Sequence, residues 1–269
     1  MRRPDEAPAS AVPHPTAGTL EEEGMSSASV SVCFPAYNEE STIAGVLREA
    51  HELLSGSGID YEIIVCDDGS KDGTGAIIDR VASELSRVRV LHHEKNLGIR
   101  ETFEHLYRVA GKDFVFLNST DRQWQTSILF DMLPLAREWD VIIAARKKKH
   151  YGLAREIVSR GFNLIPVALF GVRTYDAGAV KLVRREIIER FELVSRSPFT
   201  EAERLIKAAR AGYRITEYPV EVSARQTGKA QGVRGSVLKE ALFDVARVWW
   251  SLRGEGGKVK PSRKASPMV

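Results

Sequence analysis

The 269-residue sequence contains only two cysteines, Cys33 and Cys66, and no long apolar run. The two cysteines form neither a disulfide framework nor a metal-binding spacing, so we expect both to be small core residues in a reducing compartment. No apolar stretch reaches the ~18–20 residues that a membrane-spanning helix needs. The net charge of +3 is too small to indicate nucleic-acid binding.

Composition divides the chain into four parts. Residues 1–27 are rich in Pro, Ala, Ser and Glu and have no apolar core segment, so we expect a disordered leader without a signal peptide. A hydrophobic content of 43% is ample for a core, and residues 28–235 are predicted to form one large domain. An amphipathic helix over 236–254 and a basic, disordered tail over 255–269 follow.

The amphipathic helix allows two interpretations. Its apolar face includes Leu238, Ala241, Leu242 and Val245, which is typical of a helix that packs on its own domain. The pair Trp249-Trp250, followed by basic residues, also suits a helix lying at a membrane surface. The sequence leaves both interpretations open.

Apolar, β-branched runs alternate with helical patterns between residues 30 and 144. Strands are predicted at 30–34, 61–66, 88–92, 113–117 and 140–144, with helices at 40–55, 74–85, 98–110 and 126–137. This alternation predicts an α/β fold with a Rossmann-like, mostly parallel sheet flanked by helices. The pattern then loosens, with helices predicted at 153–170, 185–191 and 200–211 and strands at 175–182 and 214–219.

Two predicted strands stop abruptly at polar clusters. The first ends at Pro35-Ala36-Tyr37-Asn38-Glu39, and the second ends at Asp67-Asp68. Because ligands bind beyond the carboxyl ends of parallel strands, we expect these clusters to meet at one edge of the sheet. Two adjacent aspartates there are costly unless positive or hydrogen-bonding groups meet them.

A third predicted strand ends at the segment 118–123. Asp121 and Gln123 offer oxygen ligands two residues apart, which suits a hard cation such as Mg²⁺ or Mn²⁺. The same segment is also compatible with a simple turn capped by Asn118 or Ser119. Four of the six histidines, namely His92, His93, His105 and His150, show no ligand spacing with carboxylates, so we expect them to be structural or solvent-facing.

Taken together, these segments resemble family 2 glycosyltransferases with the GT-A fold, in the branch of polyprenyl-phosphate (dolichol-phosphate) mannose synthases. The resemblance extends over residues 30–234. Residues 35–39 match the family's opening nucleotide motif, 65–74 match its second motif, and 96–98 match its third. The resemblance implies that the nucleotide is bound by Pro35, Tyr37, Glu39, Asp67 and Asp68.

The family's Asp-x-Asp metal motif aligns with Ser119-Thr120-Asp121, followed by Gln123. The resemblance implies that Asp121, Gln123 and Ser119 hold Mg²⁺ or Mn²⁺. Serine in place of the first aspartate removes one negative charge, so we expect a weakened metal requirement.

The resemblance also assigns the remaining site residues. Asp121, Arg146 and Glu203 are predicted to be catalytic, and the acceptor phosphate is predicted to contact Arg146, Arg225, Lys229 and Arg234. A lipid monophosphate is already ionised near pH 7, since its second pKa is ~6, so it needs positive charge more than a general base.

The predicted function is therefore an inverting hexosyltransferase that moves a hexose from a nucleotide sugar, of the GDP-mannose or UDP-glucose type, to a polyprenyl phosphate. We expect a cytoplasmic protein with peripheral contact at the inner face of the membrane, and no nucleic-acid partner. Two alternatives stay open. One is a glycosyltransferase with a glycan or small-molecule hydroxyl acceptor, with Glu203 as its base, and the other is a non-catalytic nucleotide-sugar-binding module.

Overall fold

The computed structural model describes residues 28–146, 166–173, 178–221 and 235–254. Its strands are β1 (Val30–Ala36), β2 (Tyr61–Asp67), β3 (Val88–His92), β4 (Phe114–Leu117), β5 (Val141–Arg146), β6 (Lys181–Arg184) and β7 (Ile215–Val220). Its helices are α1 (Ile43–Ser55), α2 (Thr74–Glu84), α3 (Ile99–Val109), α4 (Ile128–Met132), α5 (Arg185–Arg190), α6 (Thr200–Arg210) and α7 (Gly235–Gly254). A 3₁₀-helix, Leu133–Arg137, follows α4.

The strands form one sheet in the order β3-β2-β1-β4-β6-β5-β7. Strands β3, β2, β1 and β4 are parallel neighbours, as are β5 and β7, whereas β6 runs antiparallel to both β4 and β5. The prediction of a mostly parallel sheet is confirmed. The antiparallel β6 follows the point where the alternating sequence pattern loosens, and so the alternation could not reveal it.

Two predicted elements differ from the observed ones. Of the strand predicted at 175–182, the structure describes residues 178–182, where β6 begins at Lys181 and continues to Arg184, because its apolar residues Leu182 and Val183 are the ones buried against β4 and β5. The single helix predicted at 126–137 is the short α4 followed by a 3₁₀ turn. Pro134 causes this change, since proline lacks a backbone N–H and its ring clashes with the carbonyl four residues earlier in an α-helix.

The core lies between the sheet and its helices. The predicted apolar face of α1 is confirmed, and its buried residues are Ile43, Val46, Leu47, Ala50 and Leu54. Cys33 and Cys66 are buried, unpaired thiols, as predicted.

Helix α7 packs against α6 and the segment before it. Ala241, Val245 and Val248 are buried in a cluster with Phe199 and Ile206. This contact favours the packed interpretation for one face of the helix. Within the residues that the structure describes, no helix is long and apolar enough to cross a membrane. The predicted leader, the tail and most of the predicted helix at 153–170 lie outside the described residues.

Candidate active site

The polar loops that follow β1, β2 and β4 meet at one edge of the sheet. These strands are neighbours and parallel, so their carboxyl ends lie side by side. The Asp68 N–H donates to the Ala36 carbonyl at 2.8 Å, and the Thr120 hydroxyl donates to the Pro35 carbonyl at 3.2 Å. The prediction that the polar clusters after β1 and β2 share one edge is confirmed, and the segment after β4 lies at the same edge.

The loop after β1 is held in place by the loop after β2. Asn38 adopts a left-handed conformation (φ 54°), which asparagine tolerates better than most residues. Its N–H donates to Ser70 Oγ at 3.0 Å, and its Oδ1 accepts from the Lys71 N–H at 2.8 Å. The Glu39 N–H donates to Thr74 Oγ1 at 2.8 Å. These contacts hold the backbone on both sides of the half-buried Tyr37 ring.

Asp67 is buried and meets hydrogen-bonding groups, as the sequence requires. Its Oδ1 accepts from the Ser70 N–H at 3.0 Å, and its Oδ2 lies 3.3 Å from His92 Nδ1. His92 Nε2 lies 2.9 Å from Asp79 Oδ1. The hydrogen bond to Asp79 raises the pKa of His92. Partial burial of the ring lowers this pKa, and the nearby Asp67 raises it further.

Asp68 is buried as well and anchors the loop before α3. Its Oδ1 accepts from the Leu97 N–H at 2.8 Å, and its Oδ2 accepts from the Gly98 N–H at 2.9 Å. His93 Nδ1 lies 2.8 Å from Asp68 Oδ1. These pairings of aspartate with histidine have no signal in the residue spacing. The strand register would have revealed the first, because Asp67 is the direct cross-strand neighbour of His92.

The segment after β4 forms a tight turn around Asp121. The Ser119 hydroxyl donates to Asp121 Oδ1 at 2.6 Å, and the Gln123 N–H donates to the same oxygen at 3.1 Å. Asp121 is only 6% exposed. The Ser119 hydroxyl and the Asp121 carboxylate thus lie together with one negative charge, and the Gln123 backbone closes the turn around them. Oxygen ligands of this kind are the type that a hard divalent cation prefers.

The side chain of Arg122 lies outside this turn. Arg122 is exposed and has a positive φ of 56°. Its guanidinium rests against α1 at Gly45, where a Cβ atom would lie only 2.0 Å from Arg122 Nη2. The positive charge of Arg122 is therefore directed toward α1.

Arg146 lies close to the Asp121 segment. It is the last residue of β5, and its guanidinium carbon lies 5.2 Å from the centre of the Trp124 ring. Trp124 is buried in the main core, so the ring is a fixed support for the guanidinium. Such a cation–π contact orients the positive charge as well as stabilising it.

Glu203 is completely buried at the start of α6, and its contacts are with the protein itself. Its Oε2 accepts from the Ser195 N–H at 2.8 Å, its Oε1 accepts from the Val194 N–H at 2.9 Å, and Lys207 Nζ lies 2.9 Å from Oε1. These contacts are those of a loop anchor, and its role as a base stays a prediction. The other predicted phosphate ligands, Arg225, Lys229 and Arg234, lie outside the described residues.

Comparison with known proteins agrees with this geometry. The family model "Glycosyl transferase family 2" matches residues 31–191. Polyprenol monophosphomannose synthase of Mycolicibacterium smegmatis is 26% identical over 244 residues, covering 83% of this chain and 87% of that protein. Undecaprenyl-phosphate mannosyltransferase of Micrococcus luteus is 26% identical over 244 residues, covering 84% of this chain and 96% of that protein.

One further relative and one solved structure are also similar to this chain. Glycosyltransferase AglD of Haloferax volcanii is 31% identical over 236 residues, but the match covers 83% of this chain and only 37% of that protein. Among solved structures, glucosyl-3-phosphoglycerate synthase of Mycobacterium tuberculosis, in complex with Mn²⁺, UDP and phosphoglyceric acid, has a TM-score of 0.67 at 22% identity. That match covers 89% of this chain and 84% of the other. The sheet is thus of the GT-A type, and the chain belongs to glycosyl transferase family 2.

Proposed function

We propose that this glycosyltransferase moves a hexose from a nucleoside-diphosphate sugar to a polyprenyl phosphate. The observation that carries the proposal is the Arg146 guanidinium, fixed on Trp124 next to the Asp121 turn. This contact supports a role for Arg146 in binding the acceptor phosphate, close to the residues proposed to hold the donor. The proposal is supported by two relatives that the chain covers almost completely, whose names state polyprenol or undecaprenyl phosphate mannosyl transfer.

The nucleotide would bind across the loops after β1 and β2. Pro35 lies at the end of β1, Tyr37 and Glu39 lie in the loop after it, and the half-buried Tyr37 ring can stack on a base. Asp67 at the end of β2 and Asp68 directly after it hold the neighbouring backbone in position. An ionised carboxylate has about four acceptor positions, so each retains capacity for a base N–H. GDP-mannose and UDP-glucose are the proposed donor types.

A divalent cation, Mg²⁺ or Mn²⁺, would be held by Asp121 with Ser119 and Gln123. When bound, it supplies positive charge that neutralises the leaving diphosphate. Because Ser119 contributes no charge, we propose that the cation binds more weakly than it would with an aspartate there. Ser119→Asp should then lower the Mn²⁺ concentration needed for half-maximal nucleotide binding. An unchanged or higher requirement would contradict this explanation.

The acceptor phosphate would contact Arg146, and we propose that Arg225, Lys229 and Arg234 add positive charge. Arginine suits this role because its planar guanidinium binds two phosphate oxygens at once. A phosphate oxygen attacks the anomeric carbon as the bond to the nucleoside diphosphate breaks on the opposite face, so the configuration inverts. The attacking oxygen is already ionised near neutral pH, since the second pKa of a phosphate monoester is ~6.

The contacts of Glu203 support a phosphate acceptor over a sugar hydroxyl. A hydroxyl acceptor needs a general base within hydrogen-bonding reach. The carboxylate of Glu203 accepts from two backbone N–H groups and pairs with Lys207 inside the protein. Proton abstraction by Glu203 would require these contacts to break.

Exposed apolar side chains of α7 and of residues 166–170 support a peripheral contact with the membrane that carries the acceptor. Leu242, Phe243 and Trp250 of α7 are exposed, and Trp250 retains 75% of its accessible surface. Val167 and Leu169 are also exposed, and the nearby Phe170 belongs to the same buried cluster as the packed face of α7. We propose a cytoplasmic protein that docks on the inner face through these side chains. Trp250→Ala should weaken sedimentation with anionic vesicles, and unchanged sedimentation would contradict the docking.

The test of the catalytic assignment is transfer of labelled hexose to a short polyprenyl phosphate. Asp121→Ala should lower transfer by at least about 100-fold, because the group proposed to position the metal and diphosphate is lost. Asp131→Ala, which removes an exposed aspartate from α4, is the matched control and should keep transfer near the wild-type rate. Near-wild-type transfer by the Asp121 variant would remove Asp121 from the mechanism.

A further inference from the structure

Three metal-ligating side chains from separate segments meet beside the candidate active site. Cys66 lies near the end of β2, His93 directly follows β3, and His105 lies on α3. One ligand atom from each (Sγ, Nε2 and Nδ1) lies within 4.8 Å of the other two. We propose that these side chains bind a transition-metal ion such as Zn²⁺, at a site distinct from the proposed Mg²⁺ or Mn²⁺ site of glycosyl transfer.

Two of the three distances between ligand atoms suit a tetrahedral ion after a small adjustment, and the third pair, Cys66 Sγ and His105 Nδ1, lies within 4.8 Å. Zn²⁺ with bonds of about 2.3 Å to sulfur and about 2.05 Å to nitrogen places a sulfur and a nitrogen ligand about 3.6 Å apart, and two nitrogen ligands about 3.3 Å apart. Cys66 Sγ lies 3.6 Å from His93 Nε2. His93 Nε2 lies 2.9 Å from His105 Nδ1, so these nitrogens must separate by about 0.4 Å. A turn of the half-buried His105 ring provides this separation.

A carboxylate fixes His93 in the form that binds metal. His93 Nδ1 lies 2.8 Å from Asp68 Oδ1, and the Asp68 carboxylate already accepts from the Leu97 and Gly98 N–H groups, so it serves as an acceptor here. With Nδ1 of His93 donating to this carboxylate, Nε2 is the ring nitrogen that faces Cys66 and His105. Histidine ligands of metals usually have such a carboxylate partner, which sets the tautomer and orients the ring.

Without metal, hydrogen bonds connect the side chains of the cluster. The rings of His93 and His105 have an interplanar angle of 8° and centroids 5.2 Å apart, as in a direct N–H···N hydrogen bond. Burial, with Asp68 and Asp67 nearby, raises the pKa of the Cys66 thiol to about 12, so the sulfur keeps its proton. Metal binding displaces the thiol proton and moves the proton of His105 to Nε2. One proton is released per ion, with no change of oxidation state.

The donor set selects against the hard cations of the transfer reaction. One thiolate and two imidazoles favour Zn²⁺, Co²⁺ or Cu⁺, whereas Mg²⁺ prefers oxygen ligands. The bound ion would connect β2, the end of β3 and α3. Through Asp68 it would also stabilise the Leu97 and Gly98 backbone, which that carboxylate anchors.

The experiment is a titration of the full-length protein with Co²⁺, followed by near-ultraviolet and visible absorption. We expect a sulfur-to-cobalt charge-transfer band that saturates at one ion per chain, is displaced by Zn²⁺ and persists in excess Mg²⁺. Cys66→Ser should abolish the band, and His105→Gln should weaken Co²⁺ binding by about 10-fold or more. Cys33→Ser removes the other buried thiol, which lies outside the cluster, and should leave the band unchanged.

Two results would overturn the proposal. One is the absence of a charge-transfer band in the wild-type protein at Co²⁺ concentrations well above its own. The other is a band of equal strength and affinity in His105→Gln. Because His105 is half-buried on a helix, this variant remains informative even if Cys66→Ser fails to fold. Circular dichroism of each variant establishes that it is folded before its metal binding is compared.

Discussion

Substitution of Lys181 by methionine tests whether a buried ion pair joins α6 to the sheet. Lys181 Nζ lies 2.7 Å from Glu201 Oε2, and the side chains are only 2% and 7% exposed. The Tyr107 hydroxyl donates to the same oxygen at 3.1 Å. Methionine keeps most of the side-chain volume and removes the charge, so the carboxylate of Glu201 stays buried without its closest cation.

The expected loss of stability is large. Removing one partner of a buried ion pair typically costs about 3–5 kcal/mol, since the other charge stays buried. For a domain of this size, about 1 kcal/mol lowers the melting temperature by about 2–4 °C. Lys181→Met should thus lower it by about 6–20 °C. The double variant Lys181→Met/Glu201→Leu should recover much of this loss, because both charges are then absent.

Urea unfolding followed by circular dichroism measures the change in free energy. Arg48→Met is the matched control, because Arg48 pairs with Glu84 at 2.7 Å while both side chains are nearly half exposed. Exposed pairs contribute less than about 1 kcal/mol. A loss below about 1 kcal/mol in Lys181→Met would refute the argument that this pair stabilises the fold.

Three further predictions concern the packing and charges around the site. Gly69 has a φ of +65°, and a Cβ there would lie 2.4 Å from the Lys95 carbonyl carbon, so Gly69→Ala should lower both the melting temperature and nucleotide affinity; unchanged values of both would contradict this. Burial opposes ionisation of Glu201, but Lys181 and Arg204 outweigh it and lower its pKa below the usual value of 4.5. The stability that this carboxylate contributes is therefore present above about pH 4.5 and is lost as the pH falls through the lowered pKa, so urea unfolding of Glu201→Gln should depend less on pH in that range than the wild type. Glu203→Gln should destabilise the fold while retaining lipid glycosylation with the wild-type pH dependence. If this variant instead loses the rate plateau that the wild type shows at alkaline pH, Glu203 acts as a base.

Much of the fold was predictable because each early strand and helix has its own local pattern. The buried positions of α1 follow directly from its apolar spacing. The antiparallel placement of β6 depends on pairing with β4 and β5, contacts that are distant in sequence and leave no periodic signal. The break within 126–137 was readable in principle, because Pro134 cannot occupy the interior of an α-helix.

The candidate site was predictable in its location and less so in its contacts. Polar residues after Ala36, Asp67 and Leu117 mark the shared edge of the sheet. The partners of the aspartates were not visible, since His93 reaches Asp68 only through the pairing of β2 with β3. The contacts of Glu203 depend likewise on a loop folded back onto α6, which sequence spacing does not encode.

A competition between acceptors is the most direct test of the proposed function. The purified protein is given each labelled nucleotide sugar in turn, with Mg²⁺ or Mn²⁺, together with a short polyprenyl phosphate and a soluble sugar acceptor. We expect hexose from one donor to enter the lipid phosphate, with inverted anomeric configuration. Transfer to the soluble sugar, with the lipid phosphate left unmodified, would contradict it.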